Sequence, residues 1–470
     1  MKKEILLLVT ILLISALLLE AINLSVEAKY KHKRKKKEMG LVYKDTKQVT
    51  SSAERSTNSL VFVDDPNGIL NFTLDSPRVA LIIYSAYCSG KAGATTLAIG
   101  INVDGVDQNR MEQSCDDGAI WPGLVGCRIQ NLAAGSHTIK GRFCMATNVA
   151  PSTQAVVSGR TLTVVLFEGE AADWQFVSSI VAANTNNMNL QNDPNAVVNL
   201  NLAKAQKALI LYAICNYHAA TEGNMGKRIA VQVDGVDSLT LGNFPHDTDW
   251  SDHSFIAKLV TLNAGPHTIR GRFSSSDTIA GQNVTISERQ LGVLLFEETL
   301  GTDYIESTAE VSVVSSSFRD DAEAIVSRNI TNTGYLLAIY CAGKHEFRDT
   351  KRAVGLKVAI NLDGTDYYQN YKGMALQYPA VSSAYSRVFG VPVGSHTVKG
   401  RIACIVTGLT SWIFERTLCL LWFTPETPPS PPPEAFEKKE EKQEANRNPP
   451  YGFTRMRVLH RVTRIVPWVV

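Results

Sequence analysis

The hydrophobic residues of this chain form short runs that return three times in the same order. Apolar runs rich in Ile, Leu and Tyr read RVALIIYSAYC from Arg78, KALILYAIC from Lys207 and YLLAIYC from Tyr335. Such runs are typical of strands that are covered on both faces. Each is followed by an alternating segment that meets Asp-Gly, the strongest two-residue hairpin signal. The pattern predicts short antiparallel strands throughout 45–426, without a long helix.

Three anchors recur in every copy: an Asp-Gly pair, a histidine after a glycine turn, and an arginine before the closing apolar run. They are Asp104, His137 and Arg160, then Asp234, His267 and Arg289, then Asp363, His396 and Arg416. The aspartates and the histidines both step by 130 and then by 129 residues. A period of this length lies outside the short solenoid repeats. Each copy is therefore long enough to bury a core of its own.

We predict an all-β protein with three tandem antiparallel β-sandwich domains of jelly-roll-like type. The domains are repeat 1 at 45–170, repeat 2 at 171–300 and repeat 3 at 301–426. The predicted flanking segments are a signal peptide or membrane anchor with a hydrophobic helix at 1–28, a basic linker at 29–44, a Pro-rich charged linker at 427–450 and a basic apolar tail at 451–470. The tail sequence fits a helix and an extended strand equally well.

The N-terminal segment predicts membrane targeting. Two lysines precede the apolar run Ile5–Leu19, and a small-residue site follows at Val26–Ala28, which is the layout of a secretory signal peptide. The run can extend far enough to form an uncleaved anchor instead. The basic segment Lys29–Lys37 opposes simple export, because such clusters tend to stay on the cytoplasmic side. We expect an extracellular or membrane-anchored cell-surface location, with a virion as the alternative.

Charge is spread unevenly along the chain. The net charge of +2 leaves about −8 on 38–450, because both ends are basic. An acidic body argues against nucleic-acid binding by the folded domains. The basic segment Lys29–Lys37 fits anionic lipid or nucleic acid, or a charged stop beside a membrane anchor. The partners expected for the body are a glycan, a host or cell-surface molecule, or further copies of the chain.

The eight cysteines include no Cys-x-x-Cys pair, which argues against a zinc ribbon. Two repeats carry a cysteine at the end of the same apolar strand and another after the same Gly-Arg-Phe/Ile. The resulting hypothesis is three disulfides, Cys88–Cys144, Cys341–Cys404 and Cys115–Cys127. The alternative is that these residues are buried thiols in strands.

The repeated histidine invites a catalytic or metal-binding interpretation. Such a role requires a partner carboxylate, a nucleophile or further ligands. The repeated aspartates are already explained by their turns, and the repeated arginines are expected to pair with an acid at a sheet rim. We therefore predict a scaffold histidine that hydrogen-bonds the loop it leaves. The chain also lacks the common hydrolase, metalloprotease, P-loop and dinucleotide motifs, so we predict no catalytic residue and no enzyme activity.

Repeat 2 contains a polar segment, HDTDWSDH, at 246–253. Its carboxylates and imidazoles can hold a divalent cation, with Ca²⁺ as the candidate cofactor. The candidate ligands are His246, Asp247, Asp249, Asp252 and His253. The other repeats do not retain this set, so the alternative is a solvated polar loop.

The same loop carries one aromatic residue in every copy: Trp121, Trp250 and Tyr378. Aromatic faces at the end of a sandwich can stack on sugars, which predicts carbohydrate binding. The alternative is that each ring covers the core of its own domain.

The repeated DG…AGSHT(I/V)KGR…R(T/Q)L pattern resembles the jelly-roll modules of prokaryotic surface proteins and virion spikes. We therefore expect a non-enzymatic surface structural and binding protein, adhesin-like or part of a cell envelope. The first alternative is a virion spike or turret protein involved in host attachment. The second is a carbohydrate-binding or carbohydrate-active protein.

Overall fold

The computed structural model describes residues 40–93, 95–115, 123–146, 152–217, 227–238, 241–243, 251–275, 283–298, 300–346, 356–367, 383–404 and 410–424. These residues belong to one compact unit that ends at Pro429. They form strands and turns with one 3-10 turn at Ala171–Asp173, which confirms the all-β prediction. The predicted N-terminal helix and the C-terminal tail lie outside the described residues. No helix in the described ranges is long and apolar enough to cross a membrane.

The strands recur in the same sequence in all three repeats. Repeat 1 contains β1 (Val42–Ser51), β2 (Arg55–Thr57), β3 (Val63–Leu74), β4 (Arg78–Lys91), β5 (Thr95–Val103), β6 (Val106–Cys115), β7 (Gly123–Leu132), β8 (Gly135–Met145) and β9 (Gln154–Glu168). Repeat 2 contains β10 (Trp174–Ser179), β11 (Ala183–Thr185), β12 (Gln191–Leu202), β13 (Gln206–Tyr217), β14 (Lys227–Val233), β15 (Val236–Asp237), β16 (Leu241–Asn243), β17 (Ser251–Leu262), β18 (Gly265–Ser275) and β19 (Val284–Glu297). Repeat 3 contains β20 (Gly301–Ser307), β21 (Val311–Val313), β22 (Arg319–Ile330), β23 (Gly334–Glu346), β24 (Leu356–Leu362), β25 (Thr365–Tyr367), β26 (Ser383–Val391), β27 (Gly394–Cys404) and β28 (Ser411–Phe423).

Each repeat folds into two antiparallel sheets with the same strand order. In repeat 1 the first sheet has the order β1-β9-β4-β7 and the second sheet β3-β8-β5-β6. The corresponding orders are β10-β19-β13-β17 and β12-β18-β14-β15 in repeat 2, and β20-β28-β23-β26 and β22-β27-β24-β25 in repeat 3. The first long strand of each repeat pairs with the last, and the chain crosses repeatedly between the sheets. This connectivity is that of a jelly roll.

The repeated Asp-Gly pairs form the predicted tight hairpins. Asp104, Asp234 and Asp363 have φ values of 53°, 50° and 51°, and the glycine after each is also at positive φ. Positive φ at both central residues is the type I′ geometry, which matches the twist of the flanking strands. Asp and Gly are common at these two positions because they tolerate the left-handed region.

The three sandwiches pack against one another in a cycle. Strand β17 of repeat 2 packs on β6 and β7 of repeat 1, β16 and β17 pack on β23 of repeat 3, and β26 of repeat 3 packs on β7 and β9 of repeat 1. Phe167, Phe296 and Phe423 occupy equivalent places in the three closing strands, and their ring centroids are 5.5, 5.7 and 6.1 Å apart. The three rings therefore mark a pseudo-threefold axis.

The largest cluster of buried side chains reaches into all three repeats and contains Leu81, Leu209 and Leu337 together. A second cluster, which includes Leu336 and Leu418, lies wholly within repeat 3. The predicted boundaries at 170/171 and 300/301 fall between closing and opening strands. The division into separate domains stays a prediction.

The three hypothetical disulfides are not formed, and all eight cysteines are buried thiols. Each hypothetical pair has one cysteine in the first sheet and one in the second: Cys88 with Cys144, Cys341 with Cys404, and Cys127 with Cys115. Burial raises the pKa of Cys127 to about 12 and that of Cys144 to about 11, which keeps both protonated.

Candidate functional site

The repeated histidine closes a corner between the Asp-Gly hairpin and the strand that starts at the glycine turn. In repeat 1, His137 Nδ1 is 2.7 Å from Asp104 Oδ2 and His137 Nε2 is 2.8 Å from the Ala133 carbonyl oxygen. The second carboxylate oxygen of Asp104 accepts the Thr138 main-chain N–H at 2.8 Å. The same bonds recur around His267 and His396.

Both ring nitrogens of each corner histidine face an acceptor, a carboxylate on one side and a carbonyl on the other. Only a protonated imidazolium can donate to both. Burial lowers the pKa of His137, but the bonds to the Ala133 carbonyl and to Asp104 outweigh it and leave that pKa above its usual value. The pKa values of His267 and His396 are raised in the same way. Each ring hydrogen-bonds the loop that it leaves, as predicted for a scaffold histidine, and the raised pKa values favour the protonated form.

The repeated arginine belongs to a buried network. Arg160 Nε lies 2.6 Å from Asp65 Oδ2, and the Tyr84 hydroxyl donates to the same carboxylate at 3.1 Å. Both members of the ion pair are almost completely buried, with exposed fractions of 1% and 0%. The equivalent networks are Arg289 with Asp193 and Tyr212, and Arg416 with Asp321 and Tyr340. The sheet-rim location that we predicted for these arginines is therefore wrong: the pairs lie in the core.

A glycine in the second sheet makes room for each tyrosine of these networks. A Cβ atom at Gly400 would lie 2.6 Å from the Tyr340 ring, and Gly141 and Gly271 face Tyr84 and Tyr212 in the same way. The tyrosine hydroxyl thus crosses the sandwich from the first sheet to an aspartate of the second. Burial raises the pKa of Tyr340 well above its usual value and also raises that of Asp321 despite its arginine. The Arg–Asp–Tyr network therefore joins the two sheets of each repeat.

The tyrosine and the aspartate of this network were not predicted from the sequence, although their spacing gives a signal. Tyr84, Tyr212 and Tyr340 each lie 19 residues after their aspartate. This separation is the same in all three repeats, so it is as regular a sequence signal as the recurrence of the histidines.

A second group of ionisable residues lies where repeats 1 and 2 meet. Arg110 Nε contacts Glu112 and lies 3.6 Å from Glu288 Oε1. Burial, and next the nearby Glu112 carboxylate, raise the pKa of Glu288 to about 8. The Cys215 thiol accepts the Glu112 main-chain N–H at 3.0 Å. A cavity of about 170 Å³ adjoins this group and is lined by Arg110, Ser178, Ser179, Ile180, Glu288, Arg289 and Gln290.

His253, one of the five candidate metal ligands, is part of this contact between repeats. Its main-chain N–H donates to Gln113 Oε1 at 2.9 Å, and its Nε2 donates to the Val125 carbonyl at 2.9 Å. Burial, and next the Lys227 ammonium, lower the pKa of His253 to about 3, so the ring is neutral. His246, Asp247 and Asp249 lie outside the described residues, as does the side chain of Asp252. The described part of the chain contains no cluster of three potential metal ligands, and the Ca²⁺ site stays a prediction.

The three aromatic residues predicted to bind sugars, Trp121, Trp250 and Tyr378, all lie outside the described residues. Their role stays a prediction.

The outward face of the second sheet carries a row of charged residues. In repeat 3, Asp320 pairs with Lys399 at 2.6 Å and with Arg401 at 3.2 Å, and Arg401 also reaches Asp366 at 3.1 Å. An open groove of about 570 Å³ lies over these residues and is lined by Val311, Ser312, Arg319, Asp320, Asn361, Gly364, Lys399, Arg401 and Ile402. Repeat 1 has the same arrangement, with Asp64, Lys140, Arg142 and Asp107 in the equivalent positions.

No protein-family model matches the chain, and no curated protein matches it. Among solved structures, PNGF-II in its C2 crystal form is 8% identical over 72% of this chain and 100% of its own, with a TM-score of 0.28. The triple jelly roll protein of an archaeal virus turret assembly is 11% identical over 82% of this chain and 91% of its own, with a TM-score of 0.17. The tandem CBM22-1–CBM22-2 domain of Paenibacillus barcinonensis Xyn10C is 11% identical over 56% of this chain and 95% of its own, with a TM-score of 0.18. Likenesses of this size carry no argument about function.

Proposed function

We propose that this chain is a non-enzymatic structural and binding protein of a biological surface, adhesin-like or part of a cell envelope. The observation that carries the proposal is the cyclic packing of three sandwiches around Phe167, Phe296 and Phe423. One apolar cluster reaches into all three repeats, and close packing of this kind between the sandwiches makes a stiff block. A stiff block suits a part that bears load and holds its binding loops and sheet faces at fixed positions.

The edges of the sheets support the same proposal. The edge strands of the first sheets donate main-chain N–H groups to side chains of the next repeat: Cys127 to Gln290 at 2.8 Å and Val388 to Gln48 at 3.0 Å. Unpaired strand edges invite association with other chains. Here the edges are used inside the molecule, which leaves the loops and the second sheets to meet a partner.

The test is protease shaving of intact cells that express the full chain, followed by mass spectrometry of the released peptides. We expect peptides from 45–426 to be released before the cells lyse. Release only after lysis would contradict a surface location.

A virion spike or turret protein is the second candidate function. The same three-sandwich block favours it, because a single chain supplies a stiff projecting unit between two basic ends. Purified virions from the same source are expected to contain the chain in this case. Its presence on uninfected, virus-free cells would contradict the virion hypothesis.

Carbohydrate binding through the loop aromatics is tested by Trp250→Ala on a glycan array. Loss of binding with unchanged thermal stability supports a sugar-stacking role. Unchanged binding with lower stability would make Trp250 a cover over the core.

A further inference from the structure

The second sheet of repeat 2 differs from its two counterparts in the charges on its outward face. Arg270 and Arg272 alternate along β18 with the buried Ile269 and Phe273, so both point away from the core. Arg228 on β14 alternates with the buried Lys227 and Ile229, so it points to the same side. Three guanidinium groups therefore share one face of this sheet.

The aspartate that neutralises this face in the other repeats is missing in repeat 2. Asp64 is the register partner of Arg142, and Asp320 is the register partner of Arg401. The partner of Arg272 at that register position is Asn192. An amide has the shape of the carboxylate without its charge, so the pairing of repeats 1 and 3 cannot form here.

Among the described residues, one carboxylate remains on the face. Asp237 lies 3.3 Å from Arg272 Nη1, where it also accepts a bond from Gln232 at 3.0 Å. Within the described residues, Arg228 and Arg270 form no ion pair with a carboxylate, whereas Arg272 also donates through Nη2 to the Leu190 carbonyl oxygen. Three positive charges thus face one negative charge, whereas the two basic residues Lys140 and Arg142 of repeat 1 face two aspartates.

The spacing of the three arginines fits a ligand with more than one anionic group. Arg270 and Arg272 are two positions apart on one strand, which places their Cα atoms about 7 Å apart. Arg228 lies on the neighbouring strand opposite Ser274, diagonal to Arg272, and such diagonal neighbours are about 7–8 Å apart. Planar guanidinium groups bind oxyanions through two parallel N–H bonds. Asn192 and Asn199 beside them are exposed and Arg228 and Arg270 are half-buried, whereas the Arg272 side chain is only 14% exposed.

We propose that the outward face of the second sheet of repeat 2, formed by Arg228, Arg270 and Arg272, binds the sulfate groups of an acidic polysaccharide. This proposal rests on the proposed surface function, because sulfated polysaccharides are polyanions of the cell exterior. The net negative body repels both kinds of polyanion, so the proposed surface location is what favours a polysaccharide over nucleic acid.

The decisive variant is Asn192→Asp, which gives repeat 2 the aspartate that repeats 1 and 3 already carry at that position. Binding of the full chain to immobilised heparin, a sulfated polysaccharide, is measured by surface plasmon resonance at 0.15 M salt. We expect Asn192→Asp to weaken binding about tenfold, the effect of losing about 1.4 kcal/mol. Asn201→Asp is the matched control: it adds the same charge on the same strand, opposite Pro266, four residues from Arg270. It is expected to retain binding within about twofold.

A second pair of measurements identifies the ligand. Desulfated heparin is expected to bind weakly, and duplex DNA is expected to bind more weakly than heparin at the same salt. Equal losses in Asn192→Asp and Asn201→Asp, or no loss in either, would overturn the site. DNA binding as tight as heparin, with the same loss in Asn192→Asp, would overturn the polysaccharide as ligand. Because these assays use purified protein, they are independent of the shaving experiment that tests the surface location.

Discussion

Each repeat contains two pairs of a basic residue with an aspartate. One pair, arginine with aspartate, is buried in the core, and the other, histidine with aspartate, lies at the surface. The Arg160–Asp65 pair lies inside the sandwich with exposed fractions of 1% and 0%, whereas the Asp104 carboxylate of the His137 corner is 42% exposed. The inner pair bridges the two sheets with the help of Tyr84. The corner ties one hairpin to the next strand at the surface.

The difference in solvent access decides what each pair contributes. A buried ion pair loses its hydration, so its attraction and desolvation nearly cancel, and its value lies in fixing one arrangement of the sheets. Removing one partner exposes the full cost of a charge left alone in the core. A corner at the surface is screened by water and contributes little, but its contribution depends on pH because the pKa of its histidine is raised. The predictions below test this contrast in order of expected effect.

The largest effect is expected for Arg289→Met, which leaves Asp193 without its cation in the core. We expect the free energy of unfolding to fall by about 3–5 kcal/mol, measured by denaturant unfolding. The control is Arg319→Met, an exposed arginine in repeat 3, which is expected to change stability by less than about 0.5 kcal/mol. Equal losses in the two variants would show that burial does not set the size of the effect.

A smaller loss is expected for Gly400→Ala, because the new Cβ atom would lie 2.6 Å from the Tyr340 ring that reaches Asp321. Overpacking of this kind costs about 1–3 kcal/mol. Gly126→Ala is the matched control, since its Cβ would lie 3.9 Å from Met111. Thermal unfolding that ranks the two variants equally would argue against the tight crossing of the tyrosine.

The buried, neutral His253 is expected to destabilise the protein in acid. Its folded pKa of about 3 lies below the unfolded value of 6.5, so the unfolded chain takes up a proton first as pH falls. The stability is complete above pH 6.5 and is lost towards pH 3, by about 2 kcal/mol at pH 5. A His253→Asn variant is expected to show a flatter fall in melting temperature between pH 7 and pH 5. An unchanged slope would contradict the assignment.

The three corner histidines are expected to act in the opposite direction and more weakly. Their folded pKa values are raised, so their contribution is complete below pH 6.5 and is lost as pH rises through the folded pKa. We expect each corner to contribute about 0.5–1 kcal/mol. His137→Gln should therefore lower the melting temperature more at pH 6 than at pH 9. A loss that is the same at both pH values would show that the ring is not held as a cation.

The features that could be predicted from the sequence are those that depend on short stretches of chain. The Asp-Gly turns at Asp104, Asp234 and Asp363 demand positive φ, and the alternating segments around them demand strands, so the fold class and the hairpins follow from short stretches of chain. The scaffold role of His137 was predicted from its place after a glycine turn, whereas its bond to Asp104 was missed because the aspartate was assigned to its turn alone. The constant separation of 19 residues between Asp65 and Tyr84 could also have been read from the sequence. It was missed because neither residue belongs to a recognisable turn motif.

Features that arise from packing between distant strands could not be predicted in the same way. Gln290 and Gln113 look like ordinary strand residues, yet each accepts a main-chain N–H from another repeat. The cysteine hypothesis failed for a related reason. Recurrence along the chain locates Cys88 and Cys144 within the repeat, but it does not give the distance and orientation of the two side chains, which decide whether a disulfide forms.

The ring of phenylalanines at the pseudo-threefold axis has a consequence for how such a molecule can change. In a trimer of identical chains, a single codon change alters all three faces at once. Here Phe167, Phe296 and Phe423 hold three faces that are encoded separately. Asn192 can thus depart from Asp64 and Asp320 while the other two copies stay as they are. One gene thereby carries three independently adjustable surfaces on a single frame.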